Sequence, residues 1–554
     1  MRKIISIMLA SILFVFAGVG FDGGRALNLA YASTISEESK VIAEKLVNDL
    51  GRGNYKAAAE NYTYDENMKK VITAEQCMII METKKLQYGE FKKVVSIAEE
   101  QKANYKLVNM AILTENAEYT FTVAFNEKNE IADFNFSRPK ALDDPAFKGE
   151  NIVFGGDKFK LNGVLNLPES KTDTLVIIVH GSGANDRNLT LGPNKPYLDI
   201  AKDLTSKGIA TFRYDKRSYT YGAEIAAMDI TPWDETIEDA LYAVKYFRDK
   251  NQFNKIYILG HSLGGFLIPM MDEMSKEVKI DGYISLAGSV AIPLEDLVVY
   301  QVEYQAKLDG MVSSEETAAL QEVIKQRDRI KSLTEDSKYG PQDLLGITKG
   351  FWLALKNYKP IDQSKRLTKP VLVLNGSRDY QVPAEQFNMY KDALEGKINY
   401  TFKLYEGLNH LFLKGLGIPN PNEYFIKSKV DAQVTEDIVN WIKANNLNNI
   451  QAKEGWNFIN DAWYYLDSNG FRKVGWASIE DQWYYFNADG TMKTNWVKYN
   501  NAWYYLKENG AMKTGWLRYD GQWYYLDKSG AMITGWKLID NKWYYFASGG
   551  AMVP

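Results

Sequence analysis

The 554-residue chain contains three histidines, so a reaction that needs an imidazole base has three candidates. Gly260-His261-Ser262-Leu263-Gly264 sets a serine between two glycines, after the apolar run Lys255 to Leu259 and before the helical stretch Phe266 to Met274. Gly-x-Ser-x-Gly at a strand–turn–helix junction is the pattern of a nucleophile elbow, a strained turn that lifts the serine hydroxyl above a sheet. A serine hydroxyl is a weak nucleophile at neutral pH and requires a base within hydrogen-bond reach. His261 sits on so tight a turn that it is expected to point elsewhere. His180 opens the turn His180-Gly181-Ser182-Gly183. His410, in Gly407-Leu408-Asn409-His410, follows the apolar run Tyr400 to Leu404 and fits the chain order serine, acid, histidine. The acid that orients it belongs between the two, on a loop after a core strand. Asp379 follows Val371 to Leu374, whereas Asp392 lies in a helical run and Asp362 precedes the strand. The expected catalytic residues are Ser262, Asp379 and His410. The expected oxyanion donors are the backbone amides of Leu263 and Ser182, with Gly183 in place of Ser182 as the alternative. The chemistry expected of such a set is acyl transfer.

These residues need a sheet to hold them. From Phe159 to about Asn446, short apolar runs (Leu175 to Val179, Ala210 to Tyr214, Lys255 to Leu259, Gly282 to Leu286, Val371 to Leu374, Tyr400 to Leu404) alternate with helical patterns such as Thr236 to Phe247. That rhythm predicts a mostly parallel sheet with both faces covered. Charged amphipathic stretches between about 293 and 360, including Glu315 to Ile330, interrupt it and predict a helical lid. Before this region, helices from Ser36 to about Lys85 precede strands Phe91 to Ala98, Tyr105 to Leu113, Tyr119 to Phe125 and Ile131 to Phe136, a small α+β arrangement. Cys77, the only cysteine, excludes an intramolecular disulfide and reads as a buried structural thiol in the helix Ala74 to Lys85.

The tail repeats every twenty residues. Trp456, Trp476, Trp496, Trp516 and Trp536 mark the period, and Trp463-Tyr464-Tyr465 recurs at 483, 503, 523 and 543. With a glycine at 470, 490, 510, 530 and 550, each unit reads as two short strands and two turns, stacked as a β-hairpin solenoid. Strand alternation puts the first and third aromatics of each triplet on one face. Trp463 and Tyr465, Trp483 and Tyr485, Trp503 and Tyr505, Trp523 and Tyr525, and Trp543 and Tyr545 therefore join the five period-marking tryptophans as expected ligand contacts. Such clefts bind a quaternary ammonium by cation–π attraction or a sugar by stacking. Asn495 replaces glycine before Trp496, and the first unit has Phe471-Arg472-Lys473 where the others have Ala-Met-Lys or a similar triplet.

On these motifs the middle of the chain resembles the α/β-hydrolase superfamily, and the run through His410 resembles the EstD-type bacterial carboxylesterases. The resemblance implies a Ser262, Asp379, His410 triad working through an acyl-enzyme, with no cofactor and no metal. The N-terminal part resembles the NTF2-like accessory domain of the DUF3887 type. The tail resembles choline-binding and clostridial cell-wall-binding repeats, which implies anchoring to teichoic acid or another wall polymer. The expected organisation is a signal peptide (1–32), an accessory domain (33–140), an α/β-hydrolase domain (141–446), a linker (447–454) and five repeats (455–554).

The signal reading rests on Arg2 and Lys3, an apolar run from Ile4 and the small-x-small pattern Ala30-Tyr31-Ala32. It predicts a secreted, wall-associated protein of Gram-positive type with no membrane span after processing. A balance of 66 basic and 70 acidic residues gives a net charge of -4 and no footprint for nucleic acid. The leading function is cleavage of carboxylic esters, soluble or wall-linked. One alternative keeps the triad but cleaves aminoacyl amides, as serine aminopeptidase-like relatives do. Another is a surface adhesin on a non-catalytic hydrolase scaffold.

Overall fold

The structure is a computed structural model that describes residues 37–447 and 453–554, apart from 103, 138, 139, 142, 143 and 460. The expected signal segment and most of the expected linker lie outside the described residues. The chain divides into two compact units, Ala393–Tyr400 with Leu447–Pro554 forming the second.

At the N-terminal end, helices Glu37–Gly51, Tyr55–Glu60 and Ala74–Tyr88 precede an antiparallel sheet of Phe91–Lys102, Tyr105–Thr114, Ala117–Phe125 and Ile131–Phe136 in sequential order. Strict alternation of buried and half-exposed residues along Ala117–Phe125 turns one face inward. Val108, Met110, Ile112, Phe121 and Val123 pack there against Ala43, Leu46 and Val47 of the first helix. Cys77 is buried in the same core, and burial pushes its thiol up.

The central region is a single eight-stranded sheet. Its strands are β1 (Glu150–Phe154), β2 (Leu161–Asn166), β3 (Thr174–Val179), β4 (Ala210–Tyr214), β5 (Lys255–His261), β6 (Gly282–Leu286), β7 (Val371–Gly376) and β8 (Tyr400–Tyr405). The spatial order is β1-β2-β4-β3-β5-β6-β7-β8. β1 and β2 form an antiparallel edge, and β4, β3, β5, β6 and β7 pair in parallel. All six residues of β3 and of β7 are buried, since helices cover both faces and leave no polar side. One covering helix, Ala432–Leu447, lays Val434, Ile438, Val439 and Ile442 against Leu259, Ile284 and Leu372. Between β6 and β7 the chain inserts helices Leu294–Ala306, Ser314–Lys331 and Lys349–Leu355. The middle helix starts at a capping box, Ser313 accepting from the Glu316 amide while the Glu316 carboxylate accepts from the Ser313 amide.

In the second unit, five antiparallel hairpins follow one another from Gly455–Ile459 paired with Ala462–Leu466 to Gly535–Ile539 paired with Lys542–Phe546. Successive units are joined by backbone bonds of one recurring kind. The Met492 amide donates to the Trp463 carbonyl, Met512 to Trp483 and Met532 to Trp503, each at 2.7 Å. A Cβ on Gly510, Gly530 or Gly550 would lie within 2.3 Å of the sulfur of Met492, Met512 or Met532, and each glycine has a positive φ, so twenty-residue spacing of Gly and Met is a packing requirement. The departures obey the same geometry. Arg472 lays its aliphatic stem over Gly490 where later units use Met, and Asn495 takes φ 69, the left-handed region that asparagine enters readily.

Candidate active site

Ser262 sits at the end of β5 with φ 53 and ψ -118, ahead of the short helix Leu263–Phe266. A serine held there is strained, and the surrounding glycines explain why the turn persists. A Cβ on Gly260 would meet the Gly264 carbonyl oxygen at 2.4 Å, and one on Gly264 would meet the His180 carbonyl oxygen at 2.6 Å. The elbow is thus pressed directly against the end of β3. The Ser262 amide donates to the Leu286 carbonyl at 2.8 Å, which ties the turn to β6.

The His180-Gly181-Ser182-Gly183 turn lies against the elbow: a Cβ on Gly181 would stand 3.0 Å from that of Ser262. Its shape is fixed from several sides. Asn185 donates to the Ser182 carbonyl at 2.8 Å, Lys216 donates to the Gly181 carbonyl at 2.8 Å, and His180 Nε2 donates to the Tyr214 carbonyl at 2.5 Å. Burial drives the His180 pKa down to about 3, so it is a neutral structural imidazole.

His410 and Asp379 are brought together. His410 Nδ1 lies 2.7 Å from Asp379 Oδ2, with both side chains almost fully buried. A carboxylate only accepts, so Nδ1 carries the proton and Nε2 is left as the basic nitrogen. The other carboxylate oxygen accepts from the Gln381 and Val382 amides at 2.8 and 2.9 Å. The two loops are stitched to each other: Arg378 N donates to the Leu408 carbonyl, Gly407 N donates to Ser377 Oγ, and a Cβ on Gly376 would collide with the Leu408 carbonyl oxygen at 2.2 Å. Asn409 braces the histidine loop by accepting from the Leu411 and Leu413 amides.

His261 does not simply turn away, as the sequence had suggested. Its ring centroid is 4.8 Å from that of His410, and its Nε2 donates to the His410 carbonyl at 3.0 Å. Its Nδ1 faces the Tyr197 hydroxyl at 3.2 Å, and that hydroxyl oxygen accepts from the Gly181 amide at 3.4 Å. Burial first, with the neighbouring His410 second, drives its pKa down to about 3. A neutral relay thus runs from the Ser182 turn through Tyr197 and His261 to His410. Sequence inspection missed it because Tyr197, at the start of helix Pro196–Ser206, has no motif of its own.

Beside the elbow a cavity of about 110 Å³ is bounded by Ser182, Gly183 and Leu263, by Ile225 and Ile230, and by Leu294, Ile347 and Phe351 of the insertion. The segment Asp186 to Arg217 that borders this region is rich in ion pairs. Arg187 meets Asp215 at 2.7 Å, Arg217 meets Asp239, and Lys216 meets Glu235.

In the tail, Trp456 has the ring of Tyr465 at 5.2 Å and that of Tyr484, from the next repeat, at 4.8 Å. The same three-ring group recurs as Trp476, Tyr485 and Tyr504, as Trp496, Tyr505 and Tyr524, and as Trp516, Tyr525 and Tyr544. The middle tyrosine of each triplet was not among the expected contacts, because strand alternation alone assigns it to the opposite face of its own hairpin. Trp463, Trp483, Trp503, Trp523 and Trp543 stand at the margin, each between 41 and 65% exposed. Trp536 has the ring of Tyr545 at 5.2 Å and is 68% exposed.

Family models match separate stretches of the chain. Residues 170–415 match the family described as serine aminopeptidase, S33. Residues 43–134 match a protein family of unknown function, DUF3887. Residues 454–470 match a putative cell wall binding repeat, and 473–515 and 513–554 match the choline-binding repeat. Esterase EstD of Thermotoga maritima is 31% identical over 398 residues, which is 69% of this chain and 92% of that protein. The chain belongs to the esterase EstD family. Protein phosphatase methylesterase 1 of Candida albicans is 25% identical over 131 residues, 24% of this chain and 32% of that one. Among solved structures, Est1E from Butyrivibrio proteoclasticus aligns with TM-score 0.35 and 19% identity over 54% of this chain and all of its own. CbpJ from Streptococcus pneumoniae aligns with the tail at 43% identity and TM-score 0.18, covering 18% of this chain. The chain spans about a third of the length of the choline-binding proteins it matches (33 to 36%).

Proposed function

We propose that this EstD-family chain is an exported carboxylic ester hydrolase, with Ser262 as nucleophile, His410 as general base and acid, and Asp379 as the group that orients it. The observation that carries the reading is the buried 2.7 Å His410–Asp379 pair, packed against the residue that precedes a serine in a strained positive-φ turn. Ser262 Oγ attacks the ester carbonyl carbon as its proton passes to His410 Nε2. The Leu263 and Ser182 amides receive the negative charge on the carbonyl oxygen, a contribution commonly worth 10² to 10³ in rate per donor. His410 then gives the proton to the leaving alkoxide oxygen as the C–O bond breaks. Water repeats the cycle on the acyl-enzyme, releasing the carboxylic acid and restoring the Ser262 hydroxyl.

The repeats serve as a wall anchor. Four three-ring groups of indole and phenol faces suit a quaternary ammonium such as choline on teichoic acid. Residues 1–32 direct export, and among the described residues no helix is long and apolar enough to cross a membrane. Replacing Ser262 with Ala tests the enzymatic reading: kcat for a short acyl ester falls by on the order of 10⁴ or more with an unchanged thermal midpoint. Retained activity in folded S262A excludes this mechanism.

A further inference from the structure

Resting on the ester-hydrolase reading, the cavity beside the elbow carries a statement about substrate. Its lining includes the Leu263 and Ser182 oxyanion candidates but no residue of the Asp379 or His410 loops. The leaving alcohol must lie near the histidine that protonates it, so this cavity receives the acyl side. Its walls are mainly apolar, with Ile225, Ile230, Leu294, Ile347 and Phe351, the polar side chains are Ser182, Ser218 and Thr348, and one charged residue, Glu235, lines it.

Glu235 is 11% exposed, and its Oε1 faces the buried Lys216 ammonium and the Ser218 hydroxyl, the latter at 3.4 Å. A carboxylate has about four acceptor positions, and these two partners both address one oxygen. The Lys216 charge already neutralises it. With the pair already balanced, an added anion or ammonium brings a charge without a counter-charge into this desolvated corner. A hydroxyl avoids that penalty, because it donates to the carboxylate while staying neutral. A plain alkyl chain reaching this point strips water from the carboxylate and returns no hydrogen bond.

We propose that Glu235 is the specificity residue of this site and that the preferred acyl group is an uncharged, mainly apolar chain or ring bearing a hydroxyl that donates to it. The remaining elements agree with that assignment. Lys216 also donates to the Gly181 carbonyl, so the group that balances Glu235 is itself fastened to the oxyanion turn. Thr348, another polar lining residue, spends its hydroxyl proton on the Ile230 carbonyl.

The test uses the full-length protein and p-nitrophenyl esters of six- to ten-carbon acids in four forms: unsubstituted, ω-hydroxy, ω-amino and ω-carboxy, with the acetyl ester as reference. The expected result is a kcat/KM at least about 10-fold higher for the hydroxyacyl ester than for the plain ester of one chain length, with the ω-carboxy ester poorest. In E235Q the hydroxyl preference shrinks several-fold relative to the plain ester, whatever happens to the absolute rate, since the amide accepts without charge. Equal turnover of plain and hydroxyacyl esters at every length, or a preference for the amino form, overturns the proposal while leaving ester hydrolysis intact. Failure to cleave even the acetyl ester overturns the underlying reading as well.

Discussion

Three side chains at the end of a sheet do the proposed chemistry, but two others hold one of them. Tyr197 and His261 connect the Ser182 turn to the His410 backbone, and their effect is expected on the rate of reaction rather than on binding. H261A and Y197F should each lower kcat about 10- to 100-fold with little change in KM, and H261Q, which keeps a donor for the His410 carbonyl, should recover much of the loss. Steady-state kinetics on all three variants checks this; equal defects in H261A and H261Q would show that the donor is not what matters. D379N keeps the size of the side chain but offers His410 a donor or a weaker acceptor. It should reduce kcat by about 10⁴. At this scale the proposed serine and base could be picked out in the sequence because only three histidines exist. The relay could not, because its members are linked by contacts between positions 181, 197, 261 and 410 that no local pattern encodes.

At the scale of the element, the glycines around the elbow are the firmest constraint. A methyl at Gly264 would meet the carbonyl oxygens of His180 and Val179 at 2.6 and 2.9 Å, both on backbone that cannot swing aside. G264A should therefore destabilise the protein by about 1 to 3 kcal/mol and depress activity together, measured by urea titration alongside the esterase assay. An unchanged midpoint would mean that the strand and helix have room to part. The parallel strands were legible because burial on both faces makes them continuous apolar runs, and Ala210–Tyr214 and Gly282–Leu286 stand where their runs stood. The strand Leu161–Asn166, one in from the sheet edge, was not legible. Its Asn162, Gly163 and Asn166 have low strand preference, and it is held by pairing with the distant Ala210–Tyr214. The helix expected from Phe266 to Met274 is two pieces, Leu263–Phe266 and Ile268–Met274, the second beginning beside Pro269. The elbow requires the earlier start.

At the scale of the whole molecule, two features are open to measurement. Deleting residues 451–554 should abolish co-sedimentation with choline-bearing cell walls and leave ester hydrolysis in place; undiminished retention would contradict the anchoring role. The second is the response to acid. His180 and His261 are held near pKa 3 against an ordinary value of 6.5, so below 6.5 the unfolded chain binds protons that the folded chain refuses. Their contribution to stability is complete above about pH 6.5 and declines as pH falls toward 3, by about 1.4 kcal/mol per pH unit for each imidazole. Asp239, raised to about 6 chiefly by burial, acts in the opposite sense, gaining its proton in the folded state first. The informative quantity is therefore the difference between wild type and H261Q: their unfolding free energies should converge as pH drops from 7 to 5. A difference that stays constant would show that His261 is not kept neutral by the fold.

The central claim is that Ser262 is an activated nucleophile, and covalent capture addresses it most directly. A fluorophosphonate probe applied to the folded, full-length protein, followed by digestion and mass analysis, should place one phosphonyl adduct on the peptide carrying Ser262 and abolish ester hydrolysis in proportion to labelling. Intact protein that remains active and unlabelled at Ser262 would contradict the account.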